Sequence, residues 1–225
     1  GDLMDRGPNP VGCVKRAREL NLECIRGNHE DKHLRWNKHE VAKLQTGKSN
    51  PMKSMSEIDD LANKALSEED IDWMKNLPYQ LQLTKELYAV HAGVEPSVGW
   101  NHQNPAQLMR VRYVNDKGRA VSLNPDKSQP DNTQYWTEQY RGARSIVYGH
   151  CVHSLSEPRI DIVSDKLFDG NPVVCYGIDT GCCFGGSLTA MLIKVNGNPL
   201  TYNHNEIEFA QVQAKQVYFE GYHNE

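Results

Sequence analysis

Gly1-Asp2-Leu3-Met4-Asp5-Arg6-Gly7 sets two carboxylates three residues apart, followed by a guanidinium whose planar fork matches phosphate oxygens. Asp2 has the chemistry of a metal ligand, Asp5 that of an orienting partner, and Arg6 that of an anion clamp. Read alone, the string also fits a solvated acidic turn. The next motif outward, Gly27-Asn28-His29-Glu30, adds an amide oxygen beside an imidazole. An Asp5–His29 hydrogen bond would orient that ring as a general acid.

The segments around these motifs alternate between helix and strand signals. Asn9-Pro10 is a good helix opening, since Asn caps and Pro tolerates the first helical position; Val14, Ala17 and Leu20 give the helix its apolar face. Leu22 to Ile25 is short, apolar and ended by Gly27, which predicts a buried strand with Asn28 to Glu30 on the turn after it. Lys32 to Leu44 and Glu57 to Leu66 read as helices, and Ser67-Glu68-Glu69-Asp70 as a capping-box start for a third that stops before Pro78. Tyr79 to Leu83 and Leu87 to Val90 predict strands, the second running into His91-Ala92-Gly93. Asn104 to Arg112 reads as a helix. Ser145 to Tyr148 predicts a strand ending at Gly149-His150, and Val173 to Ile178 and Leu188 to Val195 predict two more. After Asn203 the pattern fades into a polar tail, taken as residues 201–225.

Asp2, Asn28, His91 and His150 all fall where strands are expected to end, each in a turn that carries a Gly. One carboxylate, one amide oxygen and two imidazoles suit a divalent transition metal better than the all-oxygen cages of Ca²⁺ or Mg²⁺. Among nine His, any one alone would read as structural or exposed. Manganese fits the mixed nitrogen and oxygen donors best, with iron and zinc sharing such sites.

The chain has 225 residues and a net charge of −4, too weak a field for nucleic acid or anionic membrane as main partner. Nothing approaches the run of about 18 apolar residues that spans a bilayer. No secretory leader pattern is present, and six scattered Cys without a C-x-x-C pair fit reduced thiols, so a cytoplasmic protein is expected.

Together, GDLMDRG, GNHE, HAG and YGH resemble the calcineurin-like metallophosphoesterases, in the branch of phosphoprotein phosphatases and diadenosine tetraphosphatases. Ile178 to Ala190 resembles that family's late strand pair, and the likeness covers about residues 1–195. It implies an α/β fold, a four-layer αββα sandwich over residues 1–200 with a helical insert at 32–78. It also implies a two-metal site that hydrolyses phosphomonoesters or phosphoanhydrides by in-line attack of a metal-bridging hydroxide. By this resemblance Asp2 bridges two divalent ions, and Asn28, His91 and His150 complete one of them. His29 is the general acid, Asp5 its orienter, and Arg6 with Arg112, or Arg110, binds the phosphoryl oxygens. The family's D-x-H motif, which ligates the other metal, has no counterpart. It would lie upstream of Gly1 with the first strand of the sheet, so the N-terminus is read as missing, the second metal site as incomplete and this chain as poorly active.

The expected substrate is a phosphorylated protein or a symmetrically cleaved dinucleoside tetraphosphate. A noncatalytic phosphate-binding module on the same fold is the alternative, opposed by the retained His29 and Asp5. A nuclease is disfavoured by the charge. His153 reads as an exposed loop residue, Cys182-Cys183 as packing, and Trp36, Trp73, Trp100 and Trp136 as core or rim with base stacking as the sharper option.

Overall fold

Asn9 opens the first helix of the computed structural model: its side chain accepts the Gly12 N–H at 2.9 Å, and α1 runs Pro10–Glu19. The structure describes residues 1–168, 171–197 and 200–221, in two compact units, Gly1–Pro78 and Tyr79–Glu225.

The first unit continues with α2 (Asn28–Thr46), α3 (Glu57–Lys64) and α4 (Glu68–Asn76). Met4, Val14, Leu66 and Met74 form its core, so the apolar face of α1 packs beside the motif segment. Two expectations change here. Leu22 to Ile25 is extended but is not a strand, because its backbone makes single bonds, Leu22 N–H to Ala17 O and Arg26 N–H to Pro78 O, in place of a ladder. The helix expected from Lys32 starts four residues earlier, so Asn28 and His29 lie in the first turn of α2.

In the second unit the elements are β1 (Gln80–Gln82), β2 (Leu87–Val90), α5 (Pro105–Leu108), β3 (Tyr113–Val114), β4 (Ala120–Val121), β5 (Gln134–Tyr135), α6 (Trp136–Gln139), β6 (Ser145–Tyr148), β7 (Arg159–Phe168), β8 (Asn171–Gly177), β9 (Ser187–Leu192), β10 (Val195–Asn196), β11 (Thr201–Tyr202) and β12 (Glu208–Gln213). A five-stranded sheet has the order β1-β2-β6-β8-β7. Its middle pairs, β2 with β6 and β6 with β8, are parallel, and both edges are antiparallel. Val90, Ile146 and Cys175 bury one face among Trp136, Tyr140 and Tyr148. Leu87, Val174 and Tyr176 pack on the other side with Tyr202 and Phe209. The chain is therefore mixed α/β, as expected.

The helix expected over Asn104 to Arg112 is a single turn, because the β-branched and aromatic run from Val111 leads into β3. The stretch read as a polar tail supplies β12, which pairs antiparallel with β9 from Glu208↔Leu192 to Gln213↔Ser187. Its tip, residues 222–225, lies outside the described residues.

Asp70 ties α4 to α1. Its carboxylate accepts from Ser67 N–H at 3.0 Å and Ser67 Oγ at 2.8 Å, closing the capping box, and pairs with Arg18. Burial pushes the Asp70 pKa up, but the Ser67 hydrogen bonds and Arg18 outweigh it and hold the carboxyl below its ordinary 3.8. A depressed folded-state pKa means that this stabilisation is complete above pH 3.8 and is lost as the pH falls through the folded value. Asp70→Asn is expected to cost about 1–3 kcal/mol in urea unfolding at neutral pH. The gap from wild type should close below pH 4; a constant gap would show that the carboxylate charge is not what stabilises.

Candidate active site

The first cluster is organised by a residue the sequence reading left without a role. Glu30 is fully buried at the third position of α2. Its Oε2 accepts the N–H groups of Gly27 and Asp2, both at 2.8 Å, and its Oε1 those of Leu3 at 2.7 Å and Met4 at 3.0 Å. A buried carboxylate is costly unless donors surround it, and here four amides and the positive end of a helix do so. The segment before Asp5 is thereby fixed against the start of α2. Gly27 is required by that closeness: a Cβ there would lie 2.3 Å from Asp2 Oδ1 and 2.4 Å from Asp2 N.

Asp2, Asp5 and Arg6 adopt left-handed backbone angles, with φ of 60°, 65° and 48°. Non-glycine residues in that region carry strain of about 1–3 kcal/mol each, which surrounding contacts must hold and which clusters at functional sites. Asp2 Oδ1 accepts the His29 N–H at 3.0 Å. The Asp5 side chain, only 4% exposed, meets His29 Nδ1, Lys32 Nζ and, at 2.8 Å, His33 Nε2. Burial alone would raise the Asp5 pKa, but the hydrogen bonds from His29, His33 and Lys32 prevail and hold it far below the usual carboxylate range. His33 is wholly buried, and Asn63 Nδ2 donates to its Nδ1 at 2.9 Å, leaving Nε2–H for Asp5. Lys32 is held in turn by Asp59 Oδ2 at 2.9 Å. The structure thus brings together Asp2, Asp5 and His29, puts Asn28 in the adjoining helical position, and leaves Arg6 exposed on its turn.

Glu30, Lys32 and His33 were missed in the sequence. The available signal was helical spacing: His33 is four residues after His29, on one face of a helix that begins at Asn28. Starting that helix at Lys32 hid the relation.

The second cluster sits at the ends of parallel strands, where α/β sheets bind ligands. His91 follows β2 and His150 follows β6, and the register Leu87↔Ser145 to Ala89↔Val147 brings these ends side by side. Gly149 N–H donates to His91 O at 2.8 Å, and His150 turns back with φ 70°. The two rings stand 5.2 Å apart, with ligand nitrogens within 4.8 Å of one another. Two imidazoles at that spacing suit one transition-metal ion, so the donor set fits the group the motifs imply.

Arg110 and Arg112 are half-buried between α5 and β3, and the Arg112 carbonyl accepts the Trp136 N–H at 3.0 Å. His153 is half-buried, not the exposed loop residue expected: its ring stands edge-on to Tyr135 at 4.6 Å, and Arg159 Nη1 lies 3.4 Å from its Nδ1. Burial, with the charges of Arg159 and Arg112, lowers its pKa to about 4, so it is neutral at pH 7. None of the six cysteines is in a disulfide.

Residues 1–158 match the family described as calcineurin-like phosphoesterase. The chain belongs to that family and is a hydrolase of phosphoester or phosphoanhydride bonds. It is 28% identical over 197 residues to the asymmetrical bis(5'-nucleosyl)-tetraphosphatase PrpE of Anoxybacillus flavithermus, covering 85% of this chain and 72% of that protein. It is 24% identical over 234 residues to the symmetrical bis(5'-nucleosyl)-tetraphosphatase of Hamiltonella defensa, covering 85% and 80%. A crystal structure of a candidate diadenosine tetraphosphatase superposes with a TM-score of 0.58 at 18% identity, over 95% of this chain and 78% of that one, which shows the shared fold.

The HAG glycine is set by the core. A Cβ at Gly93 would lie 2.5 Å from Cε2 and Nε1 of the fully buried Trp136. Gly93→Ala is expected to lower the melting temperature by several degrees and to disturb the His91 main chain; an unchanged melting curve would show that the Trp136 pocket yields freely.

Proposed function

We propose that this chain hydrolyses the polyphosphate bridge of dinucleoside tetraphosphates, with Asp2, Asn28, His91 and His150 as metal ligands and His29 as general acid. The observation that carries the reading is the contact of His29 Nδ1 with a buried Asp5 carboxylate that His33 and Lys32 also hold. A module that only binds phosphate has no use for an imidazole oriented in this way. Relatives named for both symmetrical and asymmetrical cleavage of such tetraphosphates support this substrate over a phosphoprotein.

When bound, divalent cations supply charge neutralisation at the phosphoryl group and a more acidic water. Manganese suits the donor set, with iron and zinc close behind. The side chains of this chain do the rest. Asp5 takes the Nδ1 edge of His29, which aims Nε2 at the leaving oxygen, where it delivers a proton as the bond breaks. Arg6 and Arg112 bind the non-bridging oxygens through paired N–H donors, with Arg110 the alternative to Arg112. Phosphoryl transfer asks mainly for this positioning and charge neutralisation.

A single phosphoesterase domain over residues 1–200, including the helical 32–78 segment, accords with a family match that crosses both units. No helix among the described residues is long and apolar enough to cross a membrane, and the absence of disulfides suits a reducing cytoplasm.

The test compares manganese-loaded protein on bis(5'-adenosyl) tetraphosphate and on a phosphoserine peptide. The nucleotide should be strongly preferred, and preference for the peptide would overturn the substrate. His29→Asn should lower kcat by about 10²–10⁴ with metal content near wild type. Loss of metal together with activity would make His29 a ligand instead.

A further inference from the structure

The second unit contains a cavity of about 260 Å³ that the chemistry above does not use. Two short stretches wall it, residues 96–100 with Gln103 on one side and 140–144 on the other. No carboxylate lines it, whereas Arg141 and Arg144 both do, so in a chain of net charge −4 this recess is locally positive.

Its geometry is fixed before any ligand arrives. The Arg144 guanidinium lies 5.0 Å from the Trp100 ring centroid and 5.2 Å from that of Tyr88, and the two rings meet edge to face at 4.8 Å. A planar cation is therefore already stacked on aromatic rings. Arg141 is exposed, and its Nη1 donates to the carbonyls of Glu138 at 2.9 Å and Tyr140 at 2.6 Å, which steadies the guanidinium at the rim. Tyr140 Oη donates to Arg144 O at 3.0 Å, and a Cβ at position 142 would lie 2.3 Å from that hydroxyl, so the 140–144 wall is closely packed. On the opposite side Gln103 donates to the carbonyls of Glu95 and Val98 and accepts the Glu95 N–H, so its amide braces the wall.

From this combination we infer that the cavity is a nucleoside-monophosphate subsite, in which the base stacks against Trp100 and the phosphate meets Arg141 and Arg144. The volume lies just under the roughly 300–1,000 Å³ of small-molecule sites, which suits one nucleoside and not two. Flat aromatic and guanidinium surfaces favour a base, and two guanidiniums without a neighbouring carboxylate favour its phosphate. The inference rests on the proposed nucleotide substrate, to which it assigns a place for one end.

The test titrates AMP into the full chain while following tryptophan fluorescence, with adenosine, inorganic phosphate and phosphotyrosine in parallel. AMP should give saturable quenching, adenosine should bind about tenfold more weakly, and inorganic phosphate should leave the signal unchanged. Trp100→Leu and Arg141→Gln should each weaken AMP binding by about tenfold, as expected for loss of one stacked base or one charged contact. Arg141 is exposed, so its variant tests the subsite even if Trp100→Leu does not fold. Neither change should alter hydrolysis of p-nitrophenyl phosphate. Unchanged AMP affinity in the folded Arg141→Gln protein, or tighter binding of phosphotyrosine or phosphate than of AMP, would overturn the subsite. If wild type fails to hydrolyse bis(5'-adenosyl) tetraphosphate, it is the proposed function that falls, and the AMP titration still reads the cavity.

Discussion

The Glu30 carboxylate is the constraint on which the motif segment depends. It is fully buried and takes four backbone N–H groups, from Gly27, Asp2, Leu3 and Met4. Those amides would otherwise be unpartnered at the start of a helix and in the strained segment beside it. By satisfying both sets, one side chain fastens the GDLMDRG motif to the GNHE motif and fixes the backbone at Asp2. The Glu of GNHE is thus a structural residue, and it meets Asp2 through the main-chain N–H alone.

A second level of support surrounds Asp5. His29, Lys32 and His33 all come from the first two turns of α2, and Asn63 and Asp59 on α3 hold His33 and Lys32. The α3 helix, in the segment read as a helical insert, thus steadies the partners of the His29–Asp5 pair through two polar contacts. Outer partners of this kind hold a catalytic side chain in one rotamer and one tautomer, which a loop alone would not do.

Where local chemistry and tertiary structure agree, the sequence was readable to the residue. β2 and β6 fall on the predicted Leu87 to Val90 and Ser145 to Tyr148, because each is a short apolar run stopped by a His-bearing turn. Asn9 and Ser67 cap their helices as their residue types demand. The misses share a cause. Leu22 to Ile25 has strand composition, but strand formation needs a ladder partner that local sequence does not report. β12 was hidden because half of Glu208 to Gln213 is polar and all but Phe209 is exposed, with Phe209 alone reaching inward to the core beneath β9. Glu30 and His33 were hidden because their partners, Gly27 apart, are more than twenty residues away in sequence, and only the early start of α2 reveals their face.

If Glu30 sets the position of Asp2 and Asp2 is the metal ligand proposed above, Glu30 governs metal binding without being a ligand. Calorimetric titration of Mn²⁺ into the full chain and into Glu30→Gln tests this most directly, since the variant keeps the size of the side chain but turns part of an acceptor into a donor facing N–H groups. The account predicts a folded variant whose Mn²⁺ affinity falls by about 10–100-fold, the usual weight of a residue that supports metal ligands from behind. Equal affinity in the two folded proteins would contradict it.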